Sequence, residues 1–521
     1  MIVLVALALR LPNLAQRPMH TDEAVHAIKF GELLEKNYYQ YDPFEYHGPT
    51  LNYFTLIPAW ISSAKTLADV NEVTLRIVPV FFGMVLILLF LWLTTALGRP
   101  VVLLAALLTA VSPAMTFYSR YYIQETLLVC FTFGFIVTAY RYIVGRKILY
   151  ALLSGLFFGL MYATKETWLI AFGAMLLALA LTILTGQREK AIPSIRTIFK
   201  PLPAAVFALT AFAVAFLFYS SFFTNPAGIV DSIRTFTTYF DRAGNNQWHV
   251  NPWYFFIKIL LYSHYDKGPV WSEAFIVLLT VVGFVVVLLK REFLPDRGLG
   301  RFFAFYTLIL LIIYSAIPYK TPWLLLGFLQ GMIVLAAIGA VALWRIVRSR
   351  WGKILLAVLL VGGTGHLVYL DYLTNFKYYA DSRNPYVYAH TGTDVFVIVK
   401  RVQEIVRAAP EGNALYIQVI CPNGDYWPLP WYFRALTHVG WYDKVDMEAP
   451  AAPLILASPS VEQDLMKKLY LLPPPGQKHL YLPLFDSYVE IRPNVELRGY
   501  VRKDLWDRYS RMQAETEVQG E

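Results

Sequence analysis

Apolar residues in this chain come in long runs broken by short polar turns. The intervals 73–97, 101–118, 123–144, 148–164, 167–185, 202–222, 272–289, 302–318, 322–344 and 354–373 are each dominated by Leu, Val, Ile, Phe and Ala. At a rise of about 1.5 Å per residue, roughly 17 to 25 such residues cross a hydrocarbon core of about 30 Å. A first, shorter span precedes them and ends near Leu14, with only Met1 to Leu9 continuously apolar, so the pattern predicts about eleven spans. The runs lack the ten-residue alternation of a membrane barrel, and a helical bundle is expected. No internal repeat relates one half of the bundle to the other, which weakens a transporter reading based on duplicated halves.

The polar turns sort by charge. Basic residues fill alternate loops: Arg99; then Arg141, Arg146 and Lys147; then Arg188, Lys190, Arg196 and Lys200; then Lys290, Arg291, Arg297 and Arg301; then Arg345, Arg348, Arg350 and Lys353. Lys and Arg resist translocation, so these loops are assigned to the cytoplasm. The net charge of +9 follows largely from that topology, and no nucleic-acid partner is needed to explain it. Composition agrees: 57% hydrophobic and 16% charged residues, with a mean hydropathy of +0.48, exceed what a soluble core requires.

The opposite loops are then extracytoplasmic, and the first of them, about residues 15–72, is too long to be only a connector. Leu51, Phe54, Ile57, Ile61, Ala64 and Ala68 recur at helical spacing and predict a helix lying in the membrane interface. Asn251 to His264, with Trp253, Tyr254 and Phe255, predicts a second. After 373 the prolines multiply and the apolar runs shorten to LYIQVI and PLILAS, alternating with helical patterns at Val395 to Ala408 and Val461 to Leu469. These features predict a membrane domain over 1–373 and a small extracytoplasmic α/β or α+β domain over 374–521. Cys130 falls in a span and Cys421 in this last domain, so a disulfide between them is not expected.

Few charges face outward, and they gather at span ends. Asp22 and Glu23 stand side by side in HTDEAVHA, just past the first apolar run. Thr21 is a good N-cap, and acids in a first turn offset the helix dipole, so capping and chemistry are both open for the pair. His26 would share a helix face with Asp22, as a ligand, a relay or a hydrogen-bonded surface histidine. Arg120 and Glu125 occur in SRYYIQE, Lys165 and Glu166 in the tight turn ATKET, and Lys320 in IPYKTPW. Lysines at such places commonly snorkel to headgroups, but a turn of a few residues has little room for incidental charge, and three cations on one face fit a phosphate. Glu125 is either part of that site or a salt-bridge partner of Arg120. Glu45 and His47 offer two candidate metal ligands where a site needs three or more; the sequence requires no cofactor and leaves a divalent metal open. The aromatics of GDYWPLPWYFR from Gly424 can stack on sugars or fill a small core.

Taken in order, Arg10 and Pro12, the Asp22–Glu23 pair, YHGPTLNYF from Tyr46, Ser119 and Arg120 with Glu125, and Thr164 with Lys165 resemble the motifs of the GT-C, or protein O-mannosyltransferase, superfamily of membrane glycosyltransferases. The resemblance covers roughly residues 1–373. NPYVYAHT at Asn384 and YWPLPWYFR at Tyr426 bring the chain nearest to a prokaryotic subgroup named for association with flippase activity.

The resemblance implies a polytopic GT-C-like membrane protein of a prokaryotic plasma membrane that takes a hexosyl or mannosyl-type sugar from a polyprenyl-phosphate donor. The acceptor, a glycan or a protein, is not readable. In an inverting transfer a base takes the acceptor proton, and Asp22, with Glu23 beside it, is the expected catalytic carboxylate. Arg120, Lys165 and Lys320 are expected at the donor phosphate, where the leaving group develops charge, and Glu45, His47, Glu125 and His26 in support. The alternative is a lipid-linked glycan flippase or its non-catalytic accessory. A flippase needs polar groups along a transmembrane path, whereas here the charges collect at one rim.

Overall fold

The computed structural model describes residues 1–45, 47–186, 200–244, 249–289, 293–474 and 476–520, and the side chains of these except 238–244 and 516–520. Tyr46 and the loop cations Arg188, Lys190, Arg196, Lys290 and Arg291 lie outside the described residues. The chain forms two compact units. The first comprises Met1–Leu14, Glu32–Ser63 and Glu72–Tyr388, and the second Ala15–Gly31, Ala64–Asn71 and Ala389–Glu521. The division thus falls at Ala389, and two pieces of the first outer loop join the C-terminal region.

The helices run in chain order as α1 (Ile2–Arg10), α2 (Thr21–Lys36), α3 (Thr50–Ile61), α4 (Glu72–Leu89), α5 (Arg99–Val111), α6 (Pro113–Ser119), α7 (Glu125–Gly145), α8 (Ile148–Tyr162), α9 (Trp168–Gly186), α10 (Pro201–Tyr219), α11 (Ala227–Gly244), α12 (Phe255–Leu261), α13 (Ala274–Leu289), α14 (Arg297–Ala316), α15 (Leu326–Ile346) and α16 (Arg350–Tyr372). Every long apolar interval of the sequence coincides with one of these helices or a consecutive pair. Among the described residues seven stretches are long and apolar enough to cross a membrane, and the bent pair α5–α6 makes eight; α8 and α13 are shorter apolar helices. The protein is therefore a multi-pass membrane protein. Pro322–Ile346, 89% buried, forms the centre of the bundle, whereas Pro201–Tyr219, 6% buried, turns its apolar surface to lipid.

Two local devices shape the bundle. Gly283 and Gly339 let α13 and α15 touch: a Cβ at Gly283 would meet the Leu335 carbonyl at 1.9 Å. Between α5 and α6 the axis turns by 61° at Ser112–Pro113, where proline has no N–H to continue the ladder. The buried Glu273 covers this break. It accepts the Ser112 hydroxyl at 2.5 Å, the Ala114 N–H at 2.9 Å and the Tyr386 hydroxyl at 2.6 Å. The expected interfacial helix in the first loop is α3, which ends at Ile61 and leaves Ile57, Trp60 and Ile61 exposed.

The second unit is built on a five-stranded sheet of order β2-β1-β3-β7-β4. It contains α17 (Asp394–Ala408), β1 (Ile417–Ile420), β2 (Val439–Tyr442), β3 (Leu454–Ala457), β4 (Tyr481–Pro483), β5 (Glu490–Arg492), β6 (Val495–Glu496), β7 (Arg498–Arg502) and α18 (Lys503–Gly520), with β5 and β6 paired apart from the main sheet. Strands β2, β1 and β3 are parallel and β7 and β4 antiparallel, so the expected α/β character carries an antiparallel edge. All four residues of β1 and of β3 are buried, as continuous apolar strands covered on both faces must be. One face packs on Val395, Ile398, Val402 and Ile405 of α17, the other on Val461, Leu465 and Leu469. Cys421 and Cys130 are both free and buried.

Candidate active site

In the first unit three of the candidate residues, His47, Glu125 and Lys165, meet at the hairpin 163–167 between α8 and α9. Lys165 makes an ion pair with Glu125, the first residue of α7, and both side chains are buried. Glu125 is thus paired 40 residues along the chain. The next residue, Glu166, accepts the Tyr41 hydroxyl at 3.2 Å and meets His47 Nδ1 at 2.9 Å. Burial pushes the Glu166 carboxyl up, but His47, a backbone N–H and Lys165 together outweigh it and hold the group below its ordinary value of 4.5. Thr164 and Thr50 share a hydroxyl bond of 2.8 Å, and a Cβ at Gly48 would lie 2.3 Å from the Ala163 carbonyl. Only glycine permits that approach, so the motif GPT packs the loop onto the hairpin.

The other two cations are engaged with backbone. Arg120 donates to the carbonyls of Leu9 at 3.1 Å, Arg10 at 2.8 Å and Asn13 at 3.4 Å, and lies 4.9 Å from the Phe376 ring centre. It thereby satisfies carbonyls that the end of α1 leaves open. Lys320 donates to the carbonyls of Asn251 and Ile317, and burial pushes its ammonium below the usual lysine range. Beside it, His249 Nδ1 meets the Tyr388 hydroxyl at 2.8 Å. A mostly apolar cavity has Glu125, Thr132, Tyr306, Trp323 and Gln330 among its lining residues. Glu45 is exposed in a turn.

In the second unit the adjacent acids part company. Helix α2 begins at Thr21, so the cap position falls on His20 and not on Thr21 as the sequence predicts. Glu23 is fully buried. It reaches back to the His20 N–H at 3.1 Å and pairs with Arg17 at 3.2 Å, which is the acidic half of a capping box. Asp22 keeps 44% of its side chain open to water; its N–H donates to His20 Nδ1 at 3.0 Å, and its carboxylate lies 3.8 Å from that nitrogen. The His20 ring is 4.7 Å from that of His390, and His26 is buried one turn along α2. Asp22, Glu23 and His26 thus belong to the second unit, and Glu45, His47, Arg120, Glu125, Lys165 and Lys320 to the first. Among the described residues no three His, Cys, Asp or Glu side chains group as a metal site.

Sequence reasoning named Glu166 only as a neighbour of Lys165 and passed over Glu273. Their signal was faint: an acid just outside an apolar run, in ATKET and WSEAF.

The sequence profile of the family described as dolichyl-phosphate-mannose-protein mannosyltransferase matches residues 55–218. No curated protein matches the chain by sequence. Among solved structures, ArnT from Cupriavidus metallidurans in the apo state superposes with a TM-score of 0.62 at 11% identity, covering 96% of this chain and 97% of that one. The chain has the GT-C fold. The oligosaccharyltransferase of Archaeoglobus fulgidus in its apo form shares this GT-C fold with a TM-score of 0.55 at 12% identity over 84% of this chain, which spans 63% of that one. The chain therefore spans about three-fifths of the archaeal enzyme's length, whereas it is coextensive with ArnT.

Proposed function

We propose that the chain is an inverting glycosyltransferase that moves a sugar from a polyprenyl-phosphate donor to an acceptor on the extracytoplasmic face of a prokaryotic plasma membrane. The observation that carries the reading is the buried Lys165–Glu125 pair, whose Glu125 lines a mostly apolar cavity in a GT-C fold. Structures of that fold include ArnT bound to undecaprenyl phosphate and the Archaeoglobus fulgidus AglB with a dolichol-phosphate and an inhibitory peptide. A buried cation paired beside an apolar cavity suits a ligand that joins a phosphate to an apolar tail.

In the proposed step the acceptor oxygen bonds to the anomeric carbon as the carbon's bond to the phosphate oxygen breaks. The acceptor's proton passes to Asp22, and the electron pair leaves with the polyprenyl phosphate. Lys165 and Lys320 neutralise that leaving charge. Arg120, its fork engaged by three carbonyls, adds positive potential rather than a bidentate clamp. Glu23 supports Asp22 by fixing the helix start, and the fold's outer loops supply the acceptor groove.

The test is to incubate the purified protein with a panel of radiolabelled polyprenyl-phosphate sugars, mannosyl first. Donor-dependent transfer that Asp22→Asn removes while donor binding persists supports the reading. Movement of intact lipid-linked glycan across vesicles without cleavage replaces it with the flippase alternative.

A further inference from the structure

The C-terminal sheet of the second unit has a feature that the proposed chemistry leaves unused. Its parallel strand β1 is flanked by β2 on one side and β3 on the other, so the chain reverses its direction across the sheet at β1. In open sheets of this kind, functional groups collect outside the carboxyl ends of the strands at such a switch point. The loop leaving β1 turns through two left-handed residues, Asn423 (φ 59°) and Gly424 (φ 69°), and brings Asp425 and the Trp427 carbonyl to one guanidinium. That guanidinium belongs to Arg492, at the end of β5.

Arg492 bridges three acceptors. Nη2 donates to Asp425 Oδ1 at 2.6 Å, and Nη1 donates to the Trp427 carbonyl at 3.2 Å and to the Thr21 hydroxyl at 3.1 Å. Thr21 is the residue before Asp22. Two residues earlier, both backbone groups of Met19 are held from the same domain: its N–H donates to the Tyr432 hydroxyl at 2.9 Å, and its carbonyl accepts the Thr391 hydroxyl at 2.7 Å. The chain leading into α2 is therefore tied on both sides of His20, and the farther tie spans 471 residues of sequence. A planar guanidinium suits the task because it reaches several acceptors in fixed directions, which an ammonium on a flexible stem does not.

We propose that Arg492 is a positioning residue for Asp22. It locks the first turn of α2 to the switch-point loop, and this makes the C-terminal domain a working part of the transfer machinery. The inference rests on Asp22 being the base, because a base misplaced by about 1 Å costs about 10²-fold in rate while leaving donor affinity intact.

Full-length protein in nanodiscs is used for the test, comparing wild type, Arg492→Gln, Arg492→Lys and Tyr432→Phe, with Lys400→Gln at an exposed helix position as control. Turnover, donor KM and hydrogen exchange of the amides of residues 19–24 are measured. Arg492→Gln is expected to lower kcat by about 10- to 100-fold with donor KM within twofold of wild type, and to speed exchange at 19–24. Arg492→Lys, which keeps the charge beside Asp425, recovers part of both, and Tyr432→Phe shows a weaker form of the same pattern. Unchanged exchange at 19–24 in Arg492→Gln overturns the proposal whatever Asp22 does, and so does a raised donor KM at unchanged kcat. Full activity in Asp22→Asn sinks the base assignment, while the exchange measurement still decides whether Arg492 holds the segment. Should Arg492→Gln fail to fold, Tyr432→Phe and Thr391→Val carry the same test from the Met19 side.

Discussion

The hairpin at Lys165 and the start of α2 at Asp22 hold the same kinds of residue in opposite circumstances. At the hairpin every acid is spoken for: Glu125 by Lys165, and Glu166 by Tyr41 and His47. At the helix start one acid is spoken for and its neighbour is not buried. Glu23 is enclosed with Arg17, whereas the Asp22 carboxylate still meets water. Residue type therefore says little about role here; the supply of partners says more. An acid enclosed with its partners holds the fold, and one whose carboxylate still meets water is accessible to a substrate.

The largest expected effect breaks the comparison at Glu23. Glu23→Ala removes the carboxylate paired with the buried Arg17 and opens the capping box, which should cost about 3–5 kcal/mol of stability by thermal unfolding in detergent. Asp22→Asn at the next position should cost under about 1 kcal/mol. Equal losses would show that the two acids share one role.

Lys165→Met alone strands the Glu125 carboxylate and should likewise cost about 3–5 kcal/mol, whereas the double variant Lys165→Met with Glu125→Leu should recover most of that stability. Transfer should stay lost in both. Restored transfer in the double variant would mark Lys165 as a purely structural cation.

The comparison sharpens further with pH. The Glu166 carboxyl is held below 4.5 in the folded state, so its contribution is present above the unfolded value and is lost as pH falls through the lower folded one. The stability gap between wild type and Glu166→Gln should be constant near neutral pH and shrink as the solution is taken below 4.5. A gap that grew on acidification would reverse the sign of the assignment. Smallest of all, Glu45→Gln at an exposed turn should change stability by less than about 0.5 kcal/mol.

Much of the bundle was legible because a span needs only length and apolarity, and α7, α9, α10, α14 and α16 carry both without interruption. The candidate residues were legible as types at span ends, but their partners were not. Lys165 meets Glu125 and Thr21 meets Arg492 across separations that no local spacing encodes. Thr21 looked like the cap on propensity alone, but the His20 N–H, held by Glu23, moved the cap one position back. The boundary near 374 followed the proline content, whereas packing kept 374–388 with the bundle, where Tyr386 bonds Glu273, and drew 15–31 and 64–71 into the second unit.

The most direct measurement is the rate of sugar transfer from a labelled polyprenyl-phosphate donor by Asp22→Asn, taken beside its donor affinity and melting temperature. The account predicts a loss of about 10²- to 10⁴-fold in turnover with both other quantities near wild type. Transfer at the wild-type rate would contradict it.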